Sequence, residues 1–176
     1  MKYRRAYQPG GTYFFTVVTC NRRPILTSSQ SICRLKQAFT TVRKKHPFII
    51  DAIVILPDHL HTIWHLPEGD ADYSTRWNLI KRYFSIARDT GRITRSGHRK
   101  REKGIWQRRF WEHAIRNHHD WQRHVDYIHF NPVKHGYVNS PSEWKYRSFS
   151  IAVRNGRYDR DWGEQEPHTI RNLCLE

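Results

Sequence analysis

Two strand-forming runs lie only two residues apart, and this constrains the chain more than any other feature. Phe48 to Leu56 (FIIDAIVIL) and His59 to Leu66 (HLHTIWHL) are rich in β-branched and aromatic residues, with only Pro57-Asp58 between them. A parallel return needs a dozen or more residues, so so short a connection predicts an antiparallel hairpin. A third run, Tyr13 to Cys20 (YFFTVVTC), follows the turn signal Pro9-Gly10-Gly11 and reads as a strand.

Helical spacing fills the segments around these strands. Ser28 or Ser29 can cap a helix that carries Ile32, Leu35, Phe39 and Val42 on one face and stops before Pro47. After the hairpin, Ser74 can cap a second helix with Trp77, Ile80, Phe84 and Ala87 inward and Gly91 at its end. A basic, nearly apolar-free loop runs from Asp89 to Gly104, and a short strand is expected near Gly104 to Gln107. A third helix, roughly His119 to Lys134, carries the stripe Trp121, Val125, Ile128 and Pro132, and Gly136 marks its end. Beyond Tyr146 the sequence is polar and weakly patterned, so little structure is expected. The order β-α-β-β-α-β-α predicts an α+β, ferredoxin-like (RRM-like) antiparallel sheet. Its helices would pack mainly on one face, leaving the other for a site.

Charge narrows the partners. Thirty-one Lys plus Arg against 16 Asp plus Glu give +15, and 14% of the 176 residues are aromatic. Such a chain can bury a core, which excludes a disordered basic tail, and its excess charge points to a polyanion. No apolar run is long enough to span a membrane, and Met1 to Arg5 lacks an apolar leader. Three widely spaced cysteines (Cys20, Cys33, Cys174) suit reduced thiols, so a cytoplasmic location is expected. There is no Walker-type glycine loop and no GxSxG elbow, which argues against nucleotide hydrolysis and serine acyl transfer.

Three clusters could carry chemistry. In a strand, His59 and His61 point to one face about 7 Å apart, so both imidazoles can reach one cation. His65 shares their parity but lies too far along the strand. The alternative is a pair of core histidines, since 12 histidines make a chance HxH unremarkable. Imidazoles alone leave zinc, manganese and magnesium open. On the third helix, Tyr127 and Asn131 lie one turn apart on one face. Tyr127 offers a phenol that can attack phosphorus, and Asn131 a carbonyl oxygen suited to a hard cation. Either could instead be a packed helix-edge residue. Trp106, Arg108, Arg109, Phe110 and Trp111 interleave flat rings with guanidinium groups, as single-stranded nucleic acid requires, or else form an aromatic strand with a solvated flank. Asp58 beside His59 could support it or serve only the turn.

LPDHLHTIWHLPEGD, IWQRRFWEHAIRN and DYIHFNPVKHGYV, in this order, resemble the REP-associated tyrosine transposases. These belong to the IS200/IS605-like, single-tyrosine group of HUH endonucleases. The likeness runs from Tyr3-Arg4-Arg5 and the GGTYFFT segment to about Phe149. It implies one catalytic domain over residues 1–150, with a polar tail at 151–176. It further implies a ferredoxin-like fold, metal ligation by His59, His61 and Asn131, and Tyr127 as nucleophile. The expected cofactor is Mg²⁺ or Mn²⁺. The expected partner is single-stranded or hairpin DNA at REP elements, contacted by Arg4, Arg5 and the Trp106–Trp111 segment. The expected product is a 5′-phosphotyrosine, in a bacterial cytoplasm, from a monomer or homodimer. No role carries over to the basic insertion from Arg92 to Lys103. No general base is identified; His124, one turn before Tyr127, is a candidate. A non-catalytic RRM-like binding module and a replication-initiator or relaxase-type HUH nuclease are the alternatives.

Overall fold

The computed structural model describes residues 7–86, 104–171 and 173. Arg4, Arg5, Cys174, the expected end of the second helix at Gly91 and most of the basic loop lie outside them. Four strands, β1 (Thr12–Val18), β2 (Ile49–Ile55), β3 (His59–His65) and β4 (Trp111–Ala114), form one sheet in the order β2-β3-β1-β4. Every neighbouring pair is antiparallel. The expected hairpin is β2-β3, closed where the Leu56 amide donates to the His59 carbonyl at 2.9 Å.

Helices α1 (Ser29–Lys45) and α2 (Tyr73–Ser85) cross one face. The Ser28 side chain caps α1 by accepting from the Ser31 amide. Asp72, not Ser74, caps α2 through the Thr75 amide; its carboxylate is an equally good acceptor placed two residues earlier. Alternation sends Tyr13, Phe15, Val17, Leu60 and Trp64 to this face, against Leu35, Phe39, Val42, Trp77 and Ile80. Trp64 stacks on Trp77 with ring centres 4.2 Å apart and meets Phe48 at 4.1 Å. Arg76, only 2% exposed, forms a two-pronged contact with the Asp70 carboxylate and donates to the His46 and Pro47 carbonyls, tying the start of α2 to the end of α1.

The other face is crossed by α3 (His118–Lys134). Asn117 caps it by accepting from the Asp120 amide, and Gly136, at φ 70°, turns the chain away at its end. Its Val125, Tyr127 and Ile128 pack on Phe14, Ala52, Val54 and Ile63. The face left over by α1 and α2 therefore carries the helix with the tyrosine.

Two further expectations change. The fourth strand is Trp111–Ala114, not Gly104–Gln107; Trp106 contributes only an isolated bridge to Thr19. WEHA carries no β-branched residue, and its strand identity comes from pairing with Tyr13–Thr16 of β1. The segment after Tyr146 is also built. A short helix α4 (Phe149–Arg154) is followed by Tyr158, Trp162 and the buried Ile170, all packed beneath α3. Asp126 of α3 accepts from Tyr158 Oη at 2.5 Å and Thr169 Oγ1 at 2.7 Å. Order there comes from contacts distant in sequence, which local patterning does not reveal.

Candidate active site

The β1-β3-β4 register decides what faces α3. Thr16 pairs with His61 and Trp111, and Phe14 with Ile63 and His113. Residues 14 and 16, 59 and 61, and 111 and 113 thus share one face by alternation. His59 and His61 are 1% and 0% exposed, with ring centres 4.9 Å apart.

Each imidazole is held through Nδ1. Asp58 Oδ1 lies 2.6 Å from His59 Nδ1, and Thr16 Oγ1 lies 2.9 Å from His61 Nδ1. A carboxylate on Nδ1 fixes the tautomer and makes Nε2 the nitrogen suited to ligate a cation, the arrangement usually found behind a metal-binding histidine. Arg22 clasps the same carboxylate at 3.1 Å. Burial works to raise the Asp58 carboxyl, but hydrogen bonding and charge from His59, with Arg22 behind, outweigh it and hold it below its ordinary value. Asp58 is therefore more than turn chemistry. Thr16 was not visible in the sequence, because only the β1-β3 register places it opposite His61.

Tyr127 and Asn131 arrive from α3, 1% and 0% exposed. The Tyr127 ring meets His61 edge-on, with centres 5.3 Å apart. Phe14 lies beneath both, 5.4 Å from His61 and 6.2 Å from Tyr127. Lys134 Nζ donates to the Tyr127 oxygen at 3.0 Å and lies 4.6 Å from its ring centre. The His135 ring stands 5.2 Å from His59. Two imidazoles held by their outer nitrogens, with a buried amide on the facing helix, are a donor set suited to a divalent cation. His65 is exposed at the strand end, with its Nδ1 2.9 Å from Thr12 Oγ1.

His113, Asp120 and His124 form a second group, with ligand-type atoms all within 4.8 Å of one another. Hydrogen bonds occupy it. Asp120 Oδ2 lies 2.9 Å from His113 Nε2 and accepts from Arg116 Nε at 3.0 Å. His124 Nδ1 lies 2.7 Å from the Asp120 carbonyl. Burial works to raise the Asp120 carboxyl, yet Arg116 and His113 hold it well below the ordinary range. Burial pushes His124 below its usual value, against the Asp120 carbonyl, which favours the charged form. The group ties β4 to α3, and His124 rests on Phe14 at 4.9 Å.

The nucleic-acid set divides. Arg108 and Arg109 are exposed, and Trp111 is 37% exposed on the site face, its ring stacked 6.0 Å from that of His113. Phe110 corrects its expectation. It is buried against Phe15, Tyr73 and Trp77 on the α1/α2 face, so its ring belongs to the core and cannot receive a base. Trp106 is half-buried against Phe84.

Residues 8–131 match the family model described as "Transposase IS200 like". A REP-associated tyrosine transposase of Escherichia coli is 48% identical over 161 residues, covering 92% of this chain and 90% of that one. A Haemophilus influenzae relative, bearing the same name provisionally, is 41% identical over 163 residues, covering 92% of both. The structure of a REP-associated tyrosine transposase bound to a REP hairpin superimposes with a TM-score of 0.80 at 46% identity, covering 95% of this chain and 93% of that one. No helix among the described residues is long and apolar enough to cross a membrane. The chain belongs to the IS200-like transposases, a family of DNA-cleaving enzymes, and within them to the REP-associated tyrosine transposases.

Proposed function

We propose that the chain is a metal-dependent single-stranded DNA endonuclease and strand transferase that nicks and rejoins DNA at REP-type hairpins through a 5′-phosphotyrosine on Tyr127. The observation that carries this reading is the Tyr127 ring against His61, 5.3 Å between centres, on the face that also presents His59. His59, His61 and Asn131 would hold Mg²⁺ or Mn²⁺, which when bound supplies charge stabilisation to the scissile phosphate. Asp58 and Thr16 keep the two imidazoles turned inward. Tyr127 attacks phosphorus, the P–O3′ bond breaks, and the phosphoester is conserved in the protein–DNA bond, so rejoining needs no ATP. His61 and Phe14 wall the phenol on the sheet side and fix its approach.

Trp106, Arg108, Arg109 and Trp111 are the described members of the DNA-contacting set once Phe110 is assigned to the core; Arg4 and Arg5 complete it. The net charge of +15 supports salt-sensitive binding of the hairpin. The catalytic unit is residues 1–150, and Tyr158 and Thr169 beyond it brace α3 through Asp126. The chain works in a bacterial cytoplasm.

The test is an end-labelled REP-hairpin oligonucleotide with its single-stranded flank, incubated with Mg²⁺ or Mn²⁺. Wild type should nick it and leave an SDS-resistant protein–DNA band, absent with chelator. Tyr127→Phe should bind the hairpin and form no band. Tight binding by wild type without metal-dependent nicking would instead identify a non-catalytic binding module.

A further inference from the structure

We propose that Lys134 is a catalytic residue, holding the Tyr127 oxygen and neutralising the charge it carries in cleavage and rejoining. This inference rests on the reading of Tyr127 as nucleophile.

Seven residues along a helix are just under two turns, so Lys134 lies within about 20° of Tyr127 around α3 and roughly 10 Å further along it. The lysine chain runs back down the helix. Its Nζ comes within 3.0 Å of the phenol oxygen and 4.6 Å of the ring centre. Asn131, between them in sequence, is on the same stripe. Lys134 is exposed and closes the last turn of α3, where a cation also complements the helix dipole and incurs little desolvation cost.

An ammonium has three donors and no acceptor. Its contact therefore places a donor on a lone pair of the phenol oxygen, the atom that bonds to phosphorus. In cleavage, the Tyr127 O–P bond forms and the P–O3′ bond breaks. The phenol gives up one proton and the 3′ oxygen ends with one, so the protons balance. Negative charge grows on the phenol oxygen as its proton leaves. In rejoining, that oxygen is the leaving group, and the DNA 3′-hydroxyl supplies the matching proton. In both directions the lysine acts as a preorganised donor where charge develops. Removing one such donor costs about 10²–10³ in rate.

Wild type, Lys134→Met and Lys134→Arg would be compared in single-turnover cleavage at saturating labelled hairpin. Hairpin affinity would be measured separately in chelator. The methionine variant should cleave about 10²-fold more slowly, with affinity within about threefold of wild type and an unchanged melting curve. The arginine variant should recover most of the rate, and rejoining by the preformed adduct should slow together with cleavage in the methionine variant. Wild-type cleavage by Lys134→Met would overturn the inference. So would an affinity loss with an unchanged saturated rate, which marks an ordinary phosphate contact. Failure of the underlying reading looks different: wild type forms no adduct, or Tyr127→Phe still forms it.

Discussion

The two faces of the sheet use opposite chemistry. Toward α1 and α2, Trp64, Trp77, Phe39, Phe48, Phe15 and Tyr13 interlock in a mostly apolar layer. Toward α3, buried positions hold His59, His61, Asn131 and His124 among Phe14, Val54, Ile63 and Ile128. Buried polar groups stabilise little unless paired, and are costly when they are not. The first face therefore provides cohesion. The second places donor atoms at fixed positions, using partners such as Asp58 and Thr16 to hold them.

If that division holds, substitutions on the two faces separate stability from activity. His61→Ala, which removes a proposed metal ligand, should lower cleavage at least about 10³-fold, while hairpin affinity is retained. Unfolding of this variant in a thermal melt would mean that the histidine is structural. Trp64→Ala should do the reverse, costing about 3–5 kcal/mol in denaturant unfolding; a folded remainder should still nick. Asp58→Asn leaves both histidines in place but loosens His59, and should weaken metal affinity about 10–100-fold by titration of Mn²⁺-dependent cleavage.

Asp120 sharpens the comparison through pH. Its folded carboxyl is held below the ordinary value, so its contribution is complete above the unfolded value near pH 4 and is lost as pH falls below it. Asp120→Asn should lose stability near neutrality and show a shallower fall of melting temperature between about pH 5 and pH 2 than wild type. The smallest effect belongs to the surface. Arg109→Ala should reduce the salt slope of hairpin binding by about one, with the cleavage rate of bound DNA unchanged.

Much of the first face was legible in the sequence, because it is written in local periodicity. The hairpin follows from Pro57-Asp58, the α1 cap from the Ser28-Ser29 pair, of which Ser28 is used, and the inward stripe from Ile32, Leu35, Phe39 and Val42. The candidate site was legible as residue types: the His59/His61 parity and the Tyr127/Asn131 spacing each follow from one element's period. What brings Tyr127 against His61 is the placement of α3 across β3, which no local pattern encodes. The same holds for Thr16 behind His61, for Phe110 turning into the core, and for β4, whose strand identity is set by its partner. The C-terminal segment is the clearest case. Tyr158 and Thr169 gain their order from Asp126, more than thirty residues away.

The most direct test of the central claim is to digest the protein–DNA adduct and locate the modified residue by mass spectrometry. A nucleotide joined through its 5′-phosphate to the peptide carrying Tyr127, with a free 3′-hydroxyl on the released strand, is the predicted result. Attachment at another residue, or nicking with no covalent intermediate, would contradict it.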